Sequence, residues 1–196
     1  SHVAAVLVGV LAFTTFAAQA ADSPQSVEHE IKVGRAAEAA IWALPAVGVA
    51  DILVGTRRDL GGDEGDIIYF SKPMTSRHGF LTANNVTPYT IASLTLKDGP
   101  IVVEVPAATD KVGYFGTILD AWQLPVADVG PAGEDQGKGG KYLLLPPDYT
   151  GEVPADGYYV LRGKINNYNI MDRGLVEGGN VAAAVNLIKA LKVYPW

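Results

Sequence analysis

From Ile67 onward the chain is divided into short apolar runs by Gly, Pro, Asn and Asp, and this punctuation constrains its fold most strongly. Apolar runs of this length between turn-forming residues are typical of strands joined by tight connections. The pattern predicts strands over residues 67–70, 90–96, 101–105, 112–119, 141–145 and 158–162. We therefore expect most of the chain to form a sheet.

In the segment 90–96 one set of alternate residues is apolar and the other partly polar, so one face of this strand should be buried. This alternation favours antiparallel pairing. Residues 97–100, Lys-Asp-Gly-Pro, are predicted to join this strand to the next as a hairpin turn. The segment 129–141 contains five glycines and several charges, so we expect a mobile surface loop there.

Helical patterns flank the predicted strands. Ser26 can cap a helix that begins near Val27, and Pro45 is expected to end or kink it. A second helical segment is predicted over 47–57 and a C-terminal helix over 180–191. The fold class we expect is α+β: an antiparallel, sandwich-like sheet with an N-terminal helical layer and a C-terminal helix.

The N-terminal residues are typical of an export signal. An uncharged apolar run over 3–16 is too short to span a bilayer, and Ala-Gln-Ala at 18–20 matches the small-x-small site of signal peptidase. We expect residues 1–20 to be a signal peptide whose start, with the initiator Met and basic region, is trimmed. Residues 21–196 would then form a single domain of a periplasmic or secreted protein.

Composition narrows the partners and sites. A net charge of −6 argues against nucleic-acid binding, which needs clustered Lys and Arg, and no basic amphipathic helix suggests membrane docking after signal cleavage. The absence of cysteine excludes disulfides and thiolate chemistry. Three histidines, one in the predicted signal, are few for a zinc site, so we expect no metal and no cofactor.

Common catalytic motifs are missing or incomplete. No serine stands in the G-x-S-x-G arrangement of a nucleophile elbow. The glycine-rich stretch 133–139 has the wrong spacing for a phosphate loop, and the acidic turn 63–66 has the wrong spacing for a calcium loop. His78 could serve as a general base, although a solvated loop histidine is the more common occurrence.

Two polar clusters are more informative. Asn84 and Asn85, with Tyr89 nearby, offer donors and acceptors suited either to tying loop backbone or to binding a polar ligand. Backbone ties are the more common role of turn asparagines. Asp120 and Trp122 follow a predicted strand, where a carboxylate and an indole could meet at a cleft rim; alternatively Trp122 is a core residue and Asp120 a turn residue.

Several motifs, taken in order, resemble the domain-of-unknown-function family 1254. They are residues 39–45, 82–85 with Thr87 and Tyr89, 98–106, 114–122 and 140–145. The resemblance implies an exported bacterial protein that continues into a β-sandwich domain of family 1214, so that this chain would stop before a second, β-rich domain. Where the family has an acidic residue after the paired asparagines, this chain has Val86, which weakens a ligand or metal role there. The family has no settled activity to transfer.

We therefore expect an exported small-molecule-binding or assembly module, with a small organic ligand, the missing β-rich domain or a second copy as partners. The alternative is a metal-independent hydrolase or related enzyme acting on a small organic substrate. Candidate ligand-binding residues are Asn84, Asn85, Tyr89 and Trp122, and candidate catalytic residues are His78, Asp120 and Arg173. The apolar face of the C-terminal helix, with residues 194–196, should form an exposed patch.

Overall fold

The computed structural model describes residues 24–78, 80, 82–176 and 178–196. The chain divides into two compact units, Ser1–Ile41 and Trp42–Trp196, and the second contains all the strands given below. The predicted signal peptide, residues 1–20, lies outside the described residues.

The first helix, α1, occupies Pro24–Gly55 and is followed by a π-helical turn, Thr56–Leu60. Pro45 lies inside α1, so the prediction of two separate helical segments is wrong. The missing N–H of this proline removes one hydrogen bond, and the helix continues through it. Gly61 ends the π-helical turn in the left-handed conformation, with φ 68°.

The segment Pro24–Leu60 is long and apolar enough to cross a membrane, with a mean hydropathy of 1.7. Only 6% of its apolar 18-residue window is buried. Length and composition alone support this observation, and an export signal near an N-terminus has the same properties. An apolar helix at this position is compatible with export.

After α1, the described residues form nine strands and a second helix. They are β1 Ile67–Tyr69, β2 Tyr89–Thr95, β3 Ile101–Val105, β4 Tyr114–Asp120, β5 Pro125–Val129, β6 Gly140–Leu145, β7 Tyr159–Arg162, β8 Asn167–Gly174, α2 Val181–Ile188 and β9 Lys192–Pro195. The six predicted strands are confirmed, with ends that differ by at most two residues. The sequence pattern did not predict β5, β8 and β9.

The strands form two sheets. The first has the order β1-β2-β8-β4-β5 and is antiparallel throughout, which confirms the expected pairing of β2. The second has the order β7-β6-β3-β9, and its β6–β7 pair is parallel. Residues 97–100 connect β2 in one sheet to β3 in the other, so the predicted hairpin is wrong. The buried side chains of β3 pack against the first sheet, and β3 forms no hydrogen-bonded pair with β2.

The main core lies between the two sheets. Ala92, Leu94 and Ile170 from the first sheet share one apolar cluster with Val103 and Leu144 from the second. This arrangement confirms an α+β fold with a sandwich of largely antiparallel sheets, one N-terminal helix and one C-terminal helix. A smaller cluster of Val102, Leu143 and Leu145 lies on the opposite face of the second sheet.

The apolar face of α2 is buried, which contradicts the exposed patch expected there. Ala184, Val185 and Ile188 are buried, and Ile188 belongs to the main core. The Oδ1 atom of Asn180 accepts a hydrogen bond from the amide of Ala183 at 3.1 Å and caps the helix. Residues 192–195 pair with β3 as an edge strand, and Trp196 alone of the terminal aromatics is exposed, at 44%.

The polar segment between β5 and β6 is anchored by a buried carboxylate, so the prediction of a mobile loop with no place in the core is wrong. Asp135 is 1% exposed. It accepts hydrogen bonds from Gly130 N at 2.7 Å, Gly139 N at 3.2 Å and the Tyr142 hydroxyl at 2.8 Å. The glycines allow the tight turns that bring these donors around one side chain.

Candidate functional site

A cleft lies on the outer face of the first sheet, the face turned away from the core. Tyr168 and Ile170 belong to the core cluster, so Asn169 points to the outer face because side chains alternate along a strand. The cleft has a volume of about 220 Å³. Aliphatic side chains of α1, including Val49 and Leu53, form one wall, and residues of the sheet form the other.

The end of α1 is tied to the turn between β4 and β5. The rings of Trp42 and Trp122 lie 5.1 Å apart, and Gln123 Nε2 donates to the carbonyl of Pro45 at 3.0 Å. Asp120 fixes this turn, because its Oδ1 accepts from two backbone amides at 2.8 and 3.0 Å. These bonds match the alternative role of Asp120 as a turn residue and place Trp122 at the edge of the cleft.

Three residues that line the cleft each have a buried polar atom without a hydrogen-bond partner: Trp122, Asn169 and Tyr168, whose hydroxyl lies on the core side. Asn169 is 2% exposed; its Oδ1 accepts from Ser93 Oγ at 2.8 Å, but its Nδ2 is unpaired. The indole Nε1 of Trp122 is also buried and unpaired. Each unsatisfied buried group costs about 1–3 kcal/mol. Trp122 and Asn169 both contribute to the lining of the cleft.

The charge of the cleft favours a neutral occupant over an anion. Glu64 is the charged residue in its lining, and the nearest cationic atom, Nη2 of Arg57, is 3.9 Å from the Glu64 carboxylate. No lysine or arginine is among the described lining residues. An anion in the cleft would therefore face the Glu64 carboxylate, whose counter-charge, Arg57, lies outside the lining.

A second concavity, of about 290 Å³, lies beside Glu104 and Lys192 at the edge of the second sheet. Its charged groups already have partners: Lys192 Nζ donates to the Glu104 carboxylate at 3.0 Å, and Lys189 Nζ lies 4.6 Å from the ring centre of Tyr69. These groups do not need a ligand, and we do not regard this surface as the functional site.

Three of the predicted site residues meet at the other end of the outer face. The register pairs Tyr89 with Arg173 and Arg173 with Phe115. The guanidinium carbon of Arg173 lies 4.4 Å from the ring centre of Tyr89. Asn84 Nδ2 donates to the Tyr89 hydroxyl at 3.4 Å, and Asn84 Oδ1 accepts from two backbone amides, at 2.7 and 3.1 Å.

The other predicted residues differ in their contacts. Asn85 is exposed. His78 is exposed and its Nδ1 accepts from the amide of Thr75 at 2.9 Å. Asp120 is five residues along β4 from Phe115, a distance of about 17 Å in an extended strand. Asp120 and Arg173 therefore do not form one cluster in this structure, whereas His78 contacts Phe70, whose amide donates to the carbonyl of Tyr89 at 2.8 Å.

A buried carboxyl group lies on the core side of β8. Asp172 is fully buried; its Oδ2 accepts from the Tyr114 hydroxyl at 2.8 Å and its Oδ1 has no partner. Burial raises the pKa of Asp172 to about 7, although the bond from Tyr114 acts in the opposite direction. Burial also raises the pKa of Tyr114, and the charge of Asp172 adds to this effect.

Sequence reasoning missed Asn169 because it missed β8. The run Asn166-Asn167-Tyr168-Asn169 looks like a turn by composition. A signal was present, since Tyr168 and Ile170 alternate with polar residues at strand spacing. Ser93 was placed correctly on the less apolar face of β2, but its bond to Asn169 depends on a pairing between residues 76 positions apart.

The fold and the outer-face cleft define a class of α+β domain in which two sheets form a sandwich. The family model described as "Protein of unknown function (DUF1254)" matches residues 65–195. The chain belongs to this family, which confirms the resemblance found in its motifs.

A solved structure shares the fold. The crystal structure of the VPA0106 protein from Vibrio parahaemolyticus matches with a TM-score of 0.61 and 20% sequence identity. The match covers 80% of this chain and 36% of that protein, so the chain corresponds to about a third of the longer molecule. No curated protein matches the chain.

Proposed function

We propose that this chain is an exported module that binds a small, neutral organic molecule in the cleft between α1 and the first sheet. The observation that carries the proposal is the pair of buried, unpaired donors, Trp122 Nε1 and Asn169 Nδ2, in the lining of one cleft. Native proteins pair most buried polar groups, and two unpaired donors in one cleft indicate a ligand acceptor.

The rest of the lining defines the ligand further. Ala46, Val49 and Leu53 offer an aliphatic surface, whereas Glu64 disfavours an anion. A ligand with a carbonyl or similar oxygen at one end and an apolar body fits both surfaces. The volume of about 220 Å³ limits it to a small molecule.

The hydrolase alternative lacks a comparable observation. Asp120 accepts hydrogen bonds from the backbone of its own turn, and His78 accepts from the amide of Thr75. Neither residue lines the cleft. A binding role is therefore the better supported of the two proposals.

A thermal-shift experiment tests the binding site. We expect 2-pyrrolidone and δ-valerolactone, two small neutral carbonyl compounds, to raise the melting temperature by roughly 4 °C at about ten times their Kd. The Trp122→Phe variant keeps an aromatic ring but loses the donor, so its shift should be much smaller. Trp196→Phe is the matched control, because Trp196 is exposed and outside the cleft. Equal shifts in all three proteins would contradict the proposal.

Export is tested separately, with the complete reading frame expressed in a bacterial host. We expect N-terminal sequencing of the exported protein to begin at Ala21, after the small-x-small pattern. A mature protein that retains residues 3–16 would show that they are not a cleaved signal.

A further inference from the structure

An aromatic clamp holds Arg173 on the outer face of the first sheet. Strand register places Tyr89 of β2 and Phe115 of β4 on either side of Arg173. The guanidinium carbon is 4.4 Å from one ring centre and 5.0 Å from the other. Both distances are in the range of cation–π contacts, so the clamp fixes the position of the charged group.

Arg173 makes no ion pair with the residues that the structure describes. Arg57 and Arg58 make ion pairs with Asp63 and Asp59, at 2.6 and 2.7 Å. Arg173 forms no salt bridge and no side-chain hydrogen bond with any residue in the described part of the chain, and its Nε is buried without a partner. A half-buried guanidinium whose Nε–H is buried without an acceptor is costly unless a ligand oxygen pairs with it.

The surroundings of the clamp add another unpaired polar group. The hydroxyl of Thr87, two residues before Tyr89, is buried and has no partner. The neighbouring strand residue Asp172 points to the core, because adjacent side chains alternate, and it forms no ion pair with Arg173, although the two charges attract each other. The clamp therefore presents to the outer face a guanidinium that makes no ion pair with any described acidic residue.

We propose that Arg173 forms a second ligand site, which binds the carboxylate group of a small organic anion between the clamp residues Tyr89 and Phe115. The planar guanidinium can offer two parallel N–H groups to the two oxygens of a carboxylate. One positive charge balances a monoanion, whereas a phosphate dianion would retain excess negative charge. Asn169 lies four residues away on β8, about 13 Å in an extended strand, so this site is separate from the cleft.

The experiment observes the arginine Nε–H resonances of the complete, ¹⁵N-labelled chain at constant ionic strength. Sodium acetate is the probe and acetamide is its neutral isostere. We expect acetate to produce a saturable shift of the Arg173 resonance, assigned by its loss in Arg173→Lys, and acetamide to produce none. Exposed Arg77 serves as the internal reference. A response of Arg173 no larger than that of Arg77, or equal responses to the two probes, would overturn the proposal.

Two further comparisons test the contribution of the clamp and the preference for a carboxylate. Phe115→Leu should weaken acetate binding about three-fold, because it removes one cation–π contact. Tighter binding of inorganic phosphate than of acetate would overturn the assignment to carboxylates. Trp122→Phe should leave the acetate response unchanged, so failure of the cleft proposal and failure of this proposal can be distinguished.

Discussion

Asn84 and Asn85 are neighbours in sequence but differ in their contacts. Asn84 Oδ1 accepts hydrogen bonds from the amides of Val86 and Thr87, whereas Asn85 is exposed and makes no side-chain hydrogen bond with any described residue. The expected backbone-tying role thus belongs to Asn84. A pair of identical residues cannot be distinguished by composition, because the turn geometry decides which side chain faces the amides.

We expect Asn84→Ala to lower the free energy of unfolding by about 1–2 kcal/mol, since two backbone amides lose their acceptor. Asn85→Ala is the matched control and should change it by less than about 0.5 kcal/mol. Urea denaturation of both variants measures the difference. Equal destabilisation by the two substitutions would show that Asn85 has a structural role that its contacts do not reveal.

Asp172 should make stability depend on pH. Its pKa rises from 3.8 to about 7 on folding because of burial, so the folded state holds a proton that the unfolded state has released. Its contribution to stability is complete below pH 3.8 and decreases as pH rises, until the loss is complete above about pH 7. The isosteric Asp172→Asn variant cannot titrate at this position and should lose this component.

Melting curves of wild type and Asp172→Asn between pH 4 and pH 8 measure this effect as a difference, in which the other titrating groups cancel. The stability of the wild type should decrease relative to the variant as pH rises through this window. Parallel pH profiles for the two proteins would mean that Asp172 has the same proton affinity in both states.

At the scale of the element, the close pairing of β4 with β8 requires a glycine at position 116. A Cβ atom on Gly116 would overlap the Asp172 carboxylate and lie 2.6 Å from the carbonyl oxygen of Met171. Backbone at this distance cannot move aside without disturbing the ladder between the two strands. The absence of a side chain at Gly116 therefore leaves room for the buried carboxyl group of Asp172 on the neighbouring strand β8.

Gly116→Ala should destabilise the protein by about 3 kcal/mol, because overpacking occurs against backbone atoms. Gly55→Ala is the control: nothing lies within 4 Å of its Cβ position, and Gly55 is helical. The control should be neutral or slightly stabilising, since alanine has the higher helix propensity. Similar thermal stability of Gly116→Ala and wild type would contradict the close packing of β4 on β8.

The sequence predicted those strands whose local hydrophobic pattern agrees with the burial of their residues in the fold. Strands β2, β3 and β6 have apolar alternation or continuous apolar runs, and their positions are confirmed. In β8, Asn and Asp occupy positions that are buried through side-chain partners on other strands, such as Ser93 and Tyr114. Because such pairs are distant in sequence, local periodicity does not reveal them.

At the scale of the whole molecule, the cleft combines residues that are distant from one another in the sequence. Val49 comes from α1, Ser93 from β2, Trp122 from the β4–β5 turn and Asn169 from β8. Trp122 was recognised from the sequence as a ligand-binding candidate, but its unpaired indole and the matching donor of Asn169 depend on tertiary structure. Family membership supports the fold but does not identify the ligand, which experiment must determine.

The central claim is that the cleft contains donors for a neutral acceptor, and the indole N–H resonance of Trp122 tests it most directly. During titration of the ¹⁵N-labelled chain with acetamide, we expect this resonance to shift saturably as the unpaired Nε1–H gains an acceptor. The resonance of Trp196, outside the cleft, should move little. If the Trp122 resonance moves no more than that of Trp196 up to saturating acetamide, the cleft is not the ligand site.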